Sequence, residues 1–191
     1  MALSSVSTND SQLQIEDSNA FEEIAPPSAS TFSAFSAPLQ KEPWGIFINH
    51  RGPDVKDTLA RAIYSALHAR GFRVFLDSEG LQLGDFFPAA VEEAMRSASL
   101  HLAILSPTYA QSPWCLAELS FMLKSGKPII PVFYCVRPTD LRWVAQGKGM
   151  YVNAFSEYEQ NHRYSSEKLQ EWKTALHKVS FYKGAIINNK E

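Results

Sequence analysis

The chain has 191 residues, 45% of them hydrophobic and 12% aromatic, with a formal net charge of −2 at pH 7. This length allows one domain of ordinary size plus a tail, and the hydrophobic content is enough for a packed core. The charge lacks the basic surplus typical of general nucleic-acid binding, and no apolar run approaches the ~20 residues that a membrane span needs.

The amino-terminal segment differs in composition from the remainder of the chain. Its first 40 residues contain no lysine or arginine, five acids, many serines, and prolines at positions 26, 27 and 38. Such a segment cannot bury enough apolar surface to offset its chain entropy. It also lacks the features of a secretory signal or transit peptide. We therefore predict a disordered acidic tail over residues 1–41.

From Trp44 onwards, short apolar runs alternate with helical patterns. The predicted strands are 44–49, 72–77, 100–105, 128–135 and 184–187. The predicted helices are 54–70, a segment around Val91, Ala94 and Met95, and then 113–125, 151–159 and 166–181. This alternation predicts a parallel sheet with helices on both faces. In such sheets, ligands bind beyond the carboxyl ends of the strands, and the predicted helix 113–125 begins at that edge.

The helix 113–125 carries an acid in unusual surroundings. Trp114, Glu118, Phe121 and Met122 lie on one side at helical spacing, after the start signals of a serine and a proline. A carboxylate on such a stripe is either partly desolvated or directed into a pocket. The alternative is a surface glutamate whose stem crosses apolar neighbours.

Several common chemistries lack their required residues. The first strand is not followed by a glycine-rich dinucleotide fingerprint, and the five histidines are scattered without zinc-ligand spacing. Ser106 and Ser112 have no nucleophile-elbow context, and the acids of a phosphate-accepting receiver domain are missing. Cys115 and Cys135 fit no disulfide framework, so we expect a reducing compartment, the cytoplasm, with the nucleus as a second location.

Arg51 follows the first strand directly, where its guanidinium could bind a ligand phosphate through two charge-assisted hydrogen bonds. Alternatively, Arg51 pairs with Asp54 or Asp77 and fixes the loop. The spacing alone leaves these two alternatives open.

Four segments together resemble the TIR (Toll/interleukin-1 receptor) family, and the plant branch in particular. They read IFINHRG (46–52), FLDSEGLQLG (75–84), SPTYAQSPWCLAEL (106–119) and PVFYCVRPTD (131–140). The resemblance covers Glu42 to Ile187, which implies a TIR domain over 42–187 and a short tail over 188–191. It also implies a flavodoxin-like α/β fold with a five-stranded parallel sheet. No nucleotide-binding or leucine-rich-repeat region follows in this sequence, so the resemblance is to TIR-only proteins.

The resemblance implies an enzyme that cleaves NAD⁺ at the nicotinamide–ribose bond. Its products would be nicotinamide and ADP-ribose or cyclic ADP-ribose isomers, acting as immune and cell-death signals on downstream plant immune receptors. The catalytic residue of the matching motif falls on Glu118. One carboxylate can suffice, because nicotinamide already leaves as a neutral base. NAD⁺ is then the substrate, with NADP⁺ as a second one, and neither a cofactor nor a metal is expected.

The resemblance also implies a set of substrate-binding residues: Arg51, Gly52, Asp54, Gln82 and Trp114. The first three belong to the loop after the first strand, near the expected phosphates or ribose. Gln82 belongs to the loop after the second strand. Trp114 could stack on a ring of the substrate, or it could anchor the start of the helix in the core.

The sequence departs from the family pattern at three places. The usual acid after Arg-Gly is Pro53, the usual Ser-Phe before it is Asn49-His50, and Arg61-Ala62 replaces a small residue and histidine used for self-association in many plant members. The rival function is a non-catalytic adaptor that binds other TIR domains. Self-association is expected under both readings, whereas membrane and nucleic-acid binding are not.

Overall fold

The computed structural model describes residues 43–76 and 89–188. It contains five strands: β1 (Ile46–His50), β2 (Val74–Leu76), β3 (Leu100–Leu105), β4 (Ile129–Tyr134) and β5 (Ala185–Ile187). The α-helices are α1 (Gly52–Val55), α2 (Arg61–His68), α3 (Ala89–Ser97), α4 (Pro113–Lys124), α5 (Pro138–Arg142), α6 (Val152–Gln160) and α7 (Ser166–Val179). Among these described helices, none combines the length and apolar character that a membrane crossing requires. The predicted tail over 1–41 and Gln82 lie outside the described residues.

All five strands are parallel and lie in the order β2-β1-β3-β4-β5. β1 lies inside the sheet, β2 lies at one edge beside it, and β3 lies on the other side of β1. This confirms the predicted flavodoxin-like parallel sheet. In this topology the strand order reverses between β1 and β3, and the crevice at that point is where such folds bind ligands.

The sheet separates two apolar clusters. All five residues of β1 are buried, as expected for a strand covered on both faces. The larger cluster joins Phe47 and Leu105 to α3, α4 and α7, and contains the fully buried Trp172. The smaller cluster lies on the face beneath α2, around Ile48 and Ile104.

The segment predicted as one helix over 54–70 is divided in the structure. It starts earlier, at Gly52, because Pro53 at the first turn has the φ that a helix start needs. The chain then makes a π-helical turn over Lys56–Ala60, in which the Arg61 N–H bonds to the Lys56 carbonyl five residues back. α2 follows that turn. Hydrophobic spacing did not reveal this widening, since no glycine or proline marks it.

Helix α4 begins as predicted, with Pro113 in the first turn and the Ser112 hydroxyl accepting a hydrogen bond from the Cys115 N–H at 3.3 Å. It is buried on more than one side, because it lies between the sheet and α7. Its buried residues are Cys115, Leu116, Glu118, Leu119, Ser120 and Met122. This burial brings Glu118 inside the protein.

Two side chains from other elements bind carbonyls at the carboxyl end of α3. The Lys127 ammonium donates to the carbonyl oxygens of Arg96 and, at 2.6 Å, Ala98. The His101 ring nitrogen Nε2 lies 3.0 Å from the Met95 carbonyl oxygen. These contacts supply partners for carbonyls that a helix end leaves without intrahelical ones.

Candidate active site

The candidate site lies where β1 and β3 end side by side. Residue pairing along the two strands runs from Ile46 opposite Leu100 to His50 opposite Ile104, so the segments that follow both strands emerge together. α4 packs against β1 at the same place. The structure thus brings residues 51–54, which follow β1, next to residues 106–118, which follow β3, at the place where the strand order reverses.

The Glu118 carboxylate is buried: only 5% of the residue is exposed. Its Oε2 accepts a hydrogen bond of 2.6 Å from the side-chain amide of Asn49, at the end of β1. Of the alternatives left open by the sequence, the structure therefore supports the desolvated carboxylate rather than the surface glutamate. A buried carboxylate survives because hydrogen-bond donors stabilise its charge.

Behind Asn49 lies a tyrosine that the sequence did not single out. The Tyr109 hydroxyl lies in the short 3₁₀ turn before α4 and donates to Asn49 Oδ1 at 2.5 Å. The same hydroxyl lies 2.9 Å from the Cys115 carbonyl oxygen. Tyr109 and Asn49 are completely buried. A polar Asn49 inside an apolar strand run was the available signal for this network.

A second carboxylate, Asp54, joins the two loops. Its Oδ2 accepts hydrogen bonds from the Ser106 hydroxyl at 2.5 Å and from the Thr108 hydroxyl at 2.6 Å. The backbone N–H of Thr108 also donates to this oxygen at 3.3 Å. Burial acts to raise the pKa of Asp54, but these hydrogen bonds and the Arg51 guanidinium outweigh it and hold the pKa below its ordinary value. Ser106 and Thr108 are thus site residues that the sequence did not assign.

Arg51 pairs with Asp54, since its NH1 lies 2.8 Å from Asp54 Oδ1. This was one of the two alternatives for Arg51, while Asp77 lies outside the described residues. The Arg51 side chain is 21% exposed and the Asp54 side chain is 13% exposed. Arg51 is therefore fixed in the loop and still reaches solvent.

The remaining predicted residues differ in their surroundings. Trp114 is half-buried in the first turn of α4, one turn before Glu118. Gly52 begins α1, and among residues 43–76 and 89–188 a methyl group added there would meet only the Lys56 side chain, at 3.9 Å. The backbone at Gly52 is thus open on that side. Gln82 lies outside the described residues, so its place in the site stays a prediction.

Cys115 lies beside the carboxylate but is not suited to be a nucleophile. Its thiol is buried and donates to the His50 carbonyl oxygen at 3.3 Å. Burial, and then the charge of Glu118, raise the pKa of this thiol far above its ordinary value. The thiol is therefore neutral at physiological pH and is not a thiolate nucleophile.

The fold and this site define the class: an α/β protein with a flavodoxin-like sheet and a buried carboxylate at its ligand-binding edge. The TIR domain model matches residues 44–191, and the chain belongs to the TIR domain family.

Two plant proteins show the extent of the sequence similarity. "Probable 2' cyclic ADP-D-ribose synthase BdTIR" of Brachypodium distachyon is 44% identical over 96 residues, covering 50% of this chain and 43% of that protein. "TMV resistance protein N" of Nicotiana glutinosa is 28% identical over 159 residues, covering 81% of this chain and 14% of that protein. The matched regions thus make up less than half of each relative.

The TIR domains in the structure of the activated Roq1 resistosome, which recognises the pathogen effector XopQ, have the same fold. They superpose with a TM-score of 0.67 and 28% sequence identity, covering 75% of this chain and 87% of that one. The similarity to plant proteins, expected from the four sequence segments, is confirmed.

Proposed function

We propose that this protein cleaves the nicotinamide–ribose bond of NAD⁺. The nicotinamide leaves with the bonding electron pair as a neutral molecule, and the ribose passes through a transition state with oxocarbenium character. Water then adds to the anomeric carbon and loses a proton to solvent, giving ADP-ribose. When a hydroxyl of the same molecule adds instead, a cyclic isomer results. NADP⁺ contains the same bond and is a second candidate substrate.

The observation that carries this proposal is the buried Glu118 carboxylate. Its Oε2 accepts a hydrogen bond of 2.6 Å from the Asn49 amide, near the place where β1 and β3 end. A fixed negative charge in a water-poor site stabilises a developing positive charge far better than the same charge in water does. The reaction needs no acid to protonate the leaving group, so one carboxylate can serve. The name of the Brachypodium relative, a cyclic ADP-ribose synthase, supports the same chemistry.

Arg51 supplies the second part of the proposed site. Its partly exposed guanidinium is oriented by Asp54 and can bind the pyrophosphate of NAD⁺ through a fork of N–H donors. Trp114, one turn before Glu118, would flank the nicotinamide end, and Gly52 leaves the backbone accessible beside Arg51. Gln82 completes the proposed set. The reaction in this form requires neither a metal nor a cofactor.

We further infer that copies of this domain associate when active, and that the product acts as an immune signal on other plant receptors. The Roq1 TIR domains belong to an activated resistosome, which supports assembly in a structural relative. Activity should therefore rise faster than in proportion to protein concentration. A non-catalytic adaptor would associate as well, so association alone does not separate the two functions.

The decisive experiment incubates the purified full chain with NAD⁺ over a wide protein concentration range. Products are separated by chromatography and identified by mass spectrometry. The Glu118→Gln variant keeps the size of the side chain and removes its charge, and we expect it to abolish nicotinamide release. The matched control is Glu157→Gln, at an exposed glutamate on α6, which should leave release unchanged. If the wild-type protein leaves NAD⁺ unaltered at every concentration tested, the proposed cleavage is refuted and the non-catalytic adaptor remains as the function.

A further inference from the structure

Three buried side chains from three separate elements form one hydrogen-bonded row that ends on the candidate catalytic carboxylate. The Tyr109 hydroxyl donates to Asn49 Oδ1 at 2.5 Å, and Asn49 Nδ2 donates to Glu118 Oε2 at 2.6 Å. Tyr109 and Asn49 are 0% exposed and Glu118 is 5% exposed. Hydrogen bonds of this length to an ionised acceptor, shielded from water, are among the strongest in proteins.

The direction of these hydrogen bonds follows from the groups themselves. A tyrosine hydroxyl donates one proton, and an amide has an accepting oxygen and a donating nitrogen. The Tyr109 hydroxyl has two acceptors within reach, Asn49 Oδ1 at 2.5 Å and the Cys115 carbonyl oxygen at 2.9 Å. Asn49 Nδ2 lies 3.4 Å from the same carbonyl oxygen and 2.6 Å from Glu118 Oε2, so the amide NH₂ faces two acceptors, one of which is Glu118. Turning the amide over would place its carbonyl oxygen against Oε2, and two acceptors repel each other. The observed orientation therefore suits a Glu118 without a proton on Oε2.

We propose that Asn49, oriented by Tyr109, is a positioning residue that holds the Glu118 side chain in one place and keeps it ionised. The catalytic consequence rests on the function proposed above, whereas the effect on the charge of Glu118 does not. Asn49 stands where the family pattern usually has serine. A longer side chain there reaches from β1 to α4 and contacts the carboxylate directly.

Several ionisable groups lie on the described elements that pack around Glu118. Burial, and then charges including that of Glu118, raise the pKa values of Tyr109 and Cys115, so both are neutral. On β1 and the loop after it lie His50 and the Arg51–Asp54 ion pair, in which the guanidinium contacts Asp54.

The other element packed on α4 is α7. Its Glu171 pairs with Lys124 at 2.8 Å and with Lys168 at 3.1 Å, and Lys178 lines the same groove between the helices. Ser120, two residues after Glu118, lines that groove as well, so this charge cluster faces a different side of α4. The amide of Asn49 is therefore a direct donor whose removal can be tested.

The first test measures the charge of Glu118 without any substrate. The full chain is labelled with ¹³C in the glutamate side-chain carboxyl groups, and the Glu118 resonance is identified by its loss in Glu118→Gln. Asn49→Leu removes the donor and keeps the branched shape of the side chain, and we expect it to raise the titration midpoint of Glu118 by about one pH unit or more. Tyr109→Phe should shift the midpoint in the same direction by less, because the amide still donates.

Two further variants serve as a back-up and as a control for this test. Asn49→Ser shortens the side chain so that it no longer reaches Glu118, and it serves if Asn49→Leu does not fold. Tyr158→Phe removes another buried hydroxyl, which donates to the Ala110 carbonyl oxygen at 2.9 Å away from the carboxylate. This control should leave the midpoint unchanged. An unchanged Glu118 midpoint in both Asn49 variants would overturn the proposal.

The second test uses NAD⁺ cleavage. Asn49→Leu should lower kcat by about tenfold and move the acid limb of its pH profile upward by about one unit, with KM within about twofold. A merely structural role would not move the pH profile. Suppose the wild type cleaves NAD⁺, Glu118→Gln does not, and Asn49→Leu keeps the wild-type kcat and pH profile. This outcome refutes the positioning role and leaves the proposed function intact. A shifted midpoint without wild-type cleavage refutes the proposed function alone.

Discussion

Asp54 accepts a hydrogen bond of 2.5 Å from the Ser106 hydroxyl, so the loops after β1 and β3 share one carboxylate. The same carboxylate binds the Thr108 hydroxyl and orients Arg51, which places a cation beside the end of β1. The loops at the strand-order reversal are therefore joined to each other as well as to the sheet. These contacts fix the geometry of the two segments relative to each other.

Replacing the Asp54 carboxylate should destabilise the protein. In Asp54→Asn, an amide NH₂ group competes with the hydroxyl donors of Ser106 and Thr108, and the ion pair with Arg51 is lost. We expect the free energy of unfolding to fall by about 1–3 kcal/mol, measured by urea denaturation at pH 7. The control is Asp57→Asn, whose side chain is 83% exposed. A loss as large in the control would contradict this role of Asp54.

The Asp54 contribution should depend on pH in one direction. Burial opposes ionisation, but the hydrogen bonds from Ser106 and Thr108 and the charge of Arg51 hold the pKa of Asp54 below its ordinary value. Its stabilisation is therefore fully present above the unfolded-state pKa of about 4 and is lost as the pH falls through the lower folded-state value. The stability difference between wild type and Asp54→Asn should stay constant from pH 7 to about 5 and shrink below about 4. A difference that already shrinks between pH 7 and 5 would contradict this assignment.

Removing the Arg51 guanidinium should weaken substrate binding more than chemistry. If Arg51 binds the pyrophosphate of NAD⁺, Arg51→Gln should raise KM about tenfold, which corresponds to one charge-assisted contact, and change kcat less. Nicotinamide release at several NAD⁺ concentrations measures both constants. Arg96→Gln, at a side chain that is 61% exposed, is the matched control. An unchanged KM with a lowered kcat would move Arg51 from binding to catalysis.

His101 should make stability fall in mildly acidic solution. Burial lowers the pKa of its imidazole, although the Met95 carbonyl opposes this, and the charge of Lys127 lowers it further. The unfolded chain therefore binds a proton more readily than the folded one. Stability is highest above about pH 6.5 and falls as the pH drops below that value. In His101→Gln, urea denaturation between pH 7 and 5 should show a smaller fall, with the exposed His68→Gln as the control for loss of a histidine.

The ammonium of Lys127 should stabilise the end of α3. It donates to the carbonyl oxygens of Arg96 and Ala98, where the helix dipole favours a cation. Lys127→Met keeps the apolar stem and removes the charge, so we expect a loss of about 1 kcal/mol in unfolding free energy. Lys183→Met, at an exposed position, should change it by less than about 0.5 kcal/mol. Equal losses in the two variants would mean that the contacts of Lys127 contribute little.

Periodicity was sufficient to predict the sheet and most helices, because buried parallel strands and amphipathic helices leave strong patterns. It missed α5, whose five residues are too few to show a period, and the π-helical turn, which Lys56–Ala60 do not mark. Within the site, the end of β1 and the start of α4 were predicted to lie together. The contact between Asn49 and Glu118 spans 69 residues of sequence and depends on how α4 packs on the sheet, which no local pattern records.

Ser106 and Thr108 illustrate a second limit. Hydroxyl residues in a loop are common, and their role became visible only when the fold brought them to Asp54. By contrast, Glu118 could be singled out because an acid within apolar spacing is unusual. The sequence was therefore enough to single out the acid Glu118, whereas the hydrogen-bond partners of Glu118 and Asp54 could be identified only in the three-dimensional structure.

The widened turn at Lys56–Ala60 also affects how this part of the chain can change in length. A π turn holds one residue more than the α turn it replaces, and this one lies between α1, which carries Asp54, and α2, which covers one face of the sheet. Removing one residue there would convert the turn into an ordinary α-helical one. The helices α1 and α2 could then each keep their own side-chain register, so the chain can lose one residue here without disturbing Asp54 or the packing of α2 on the sheet.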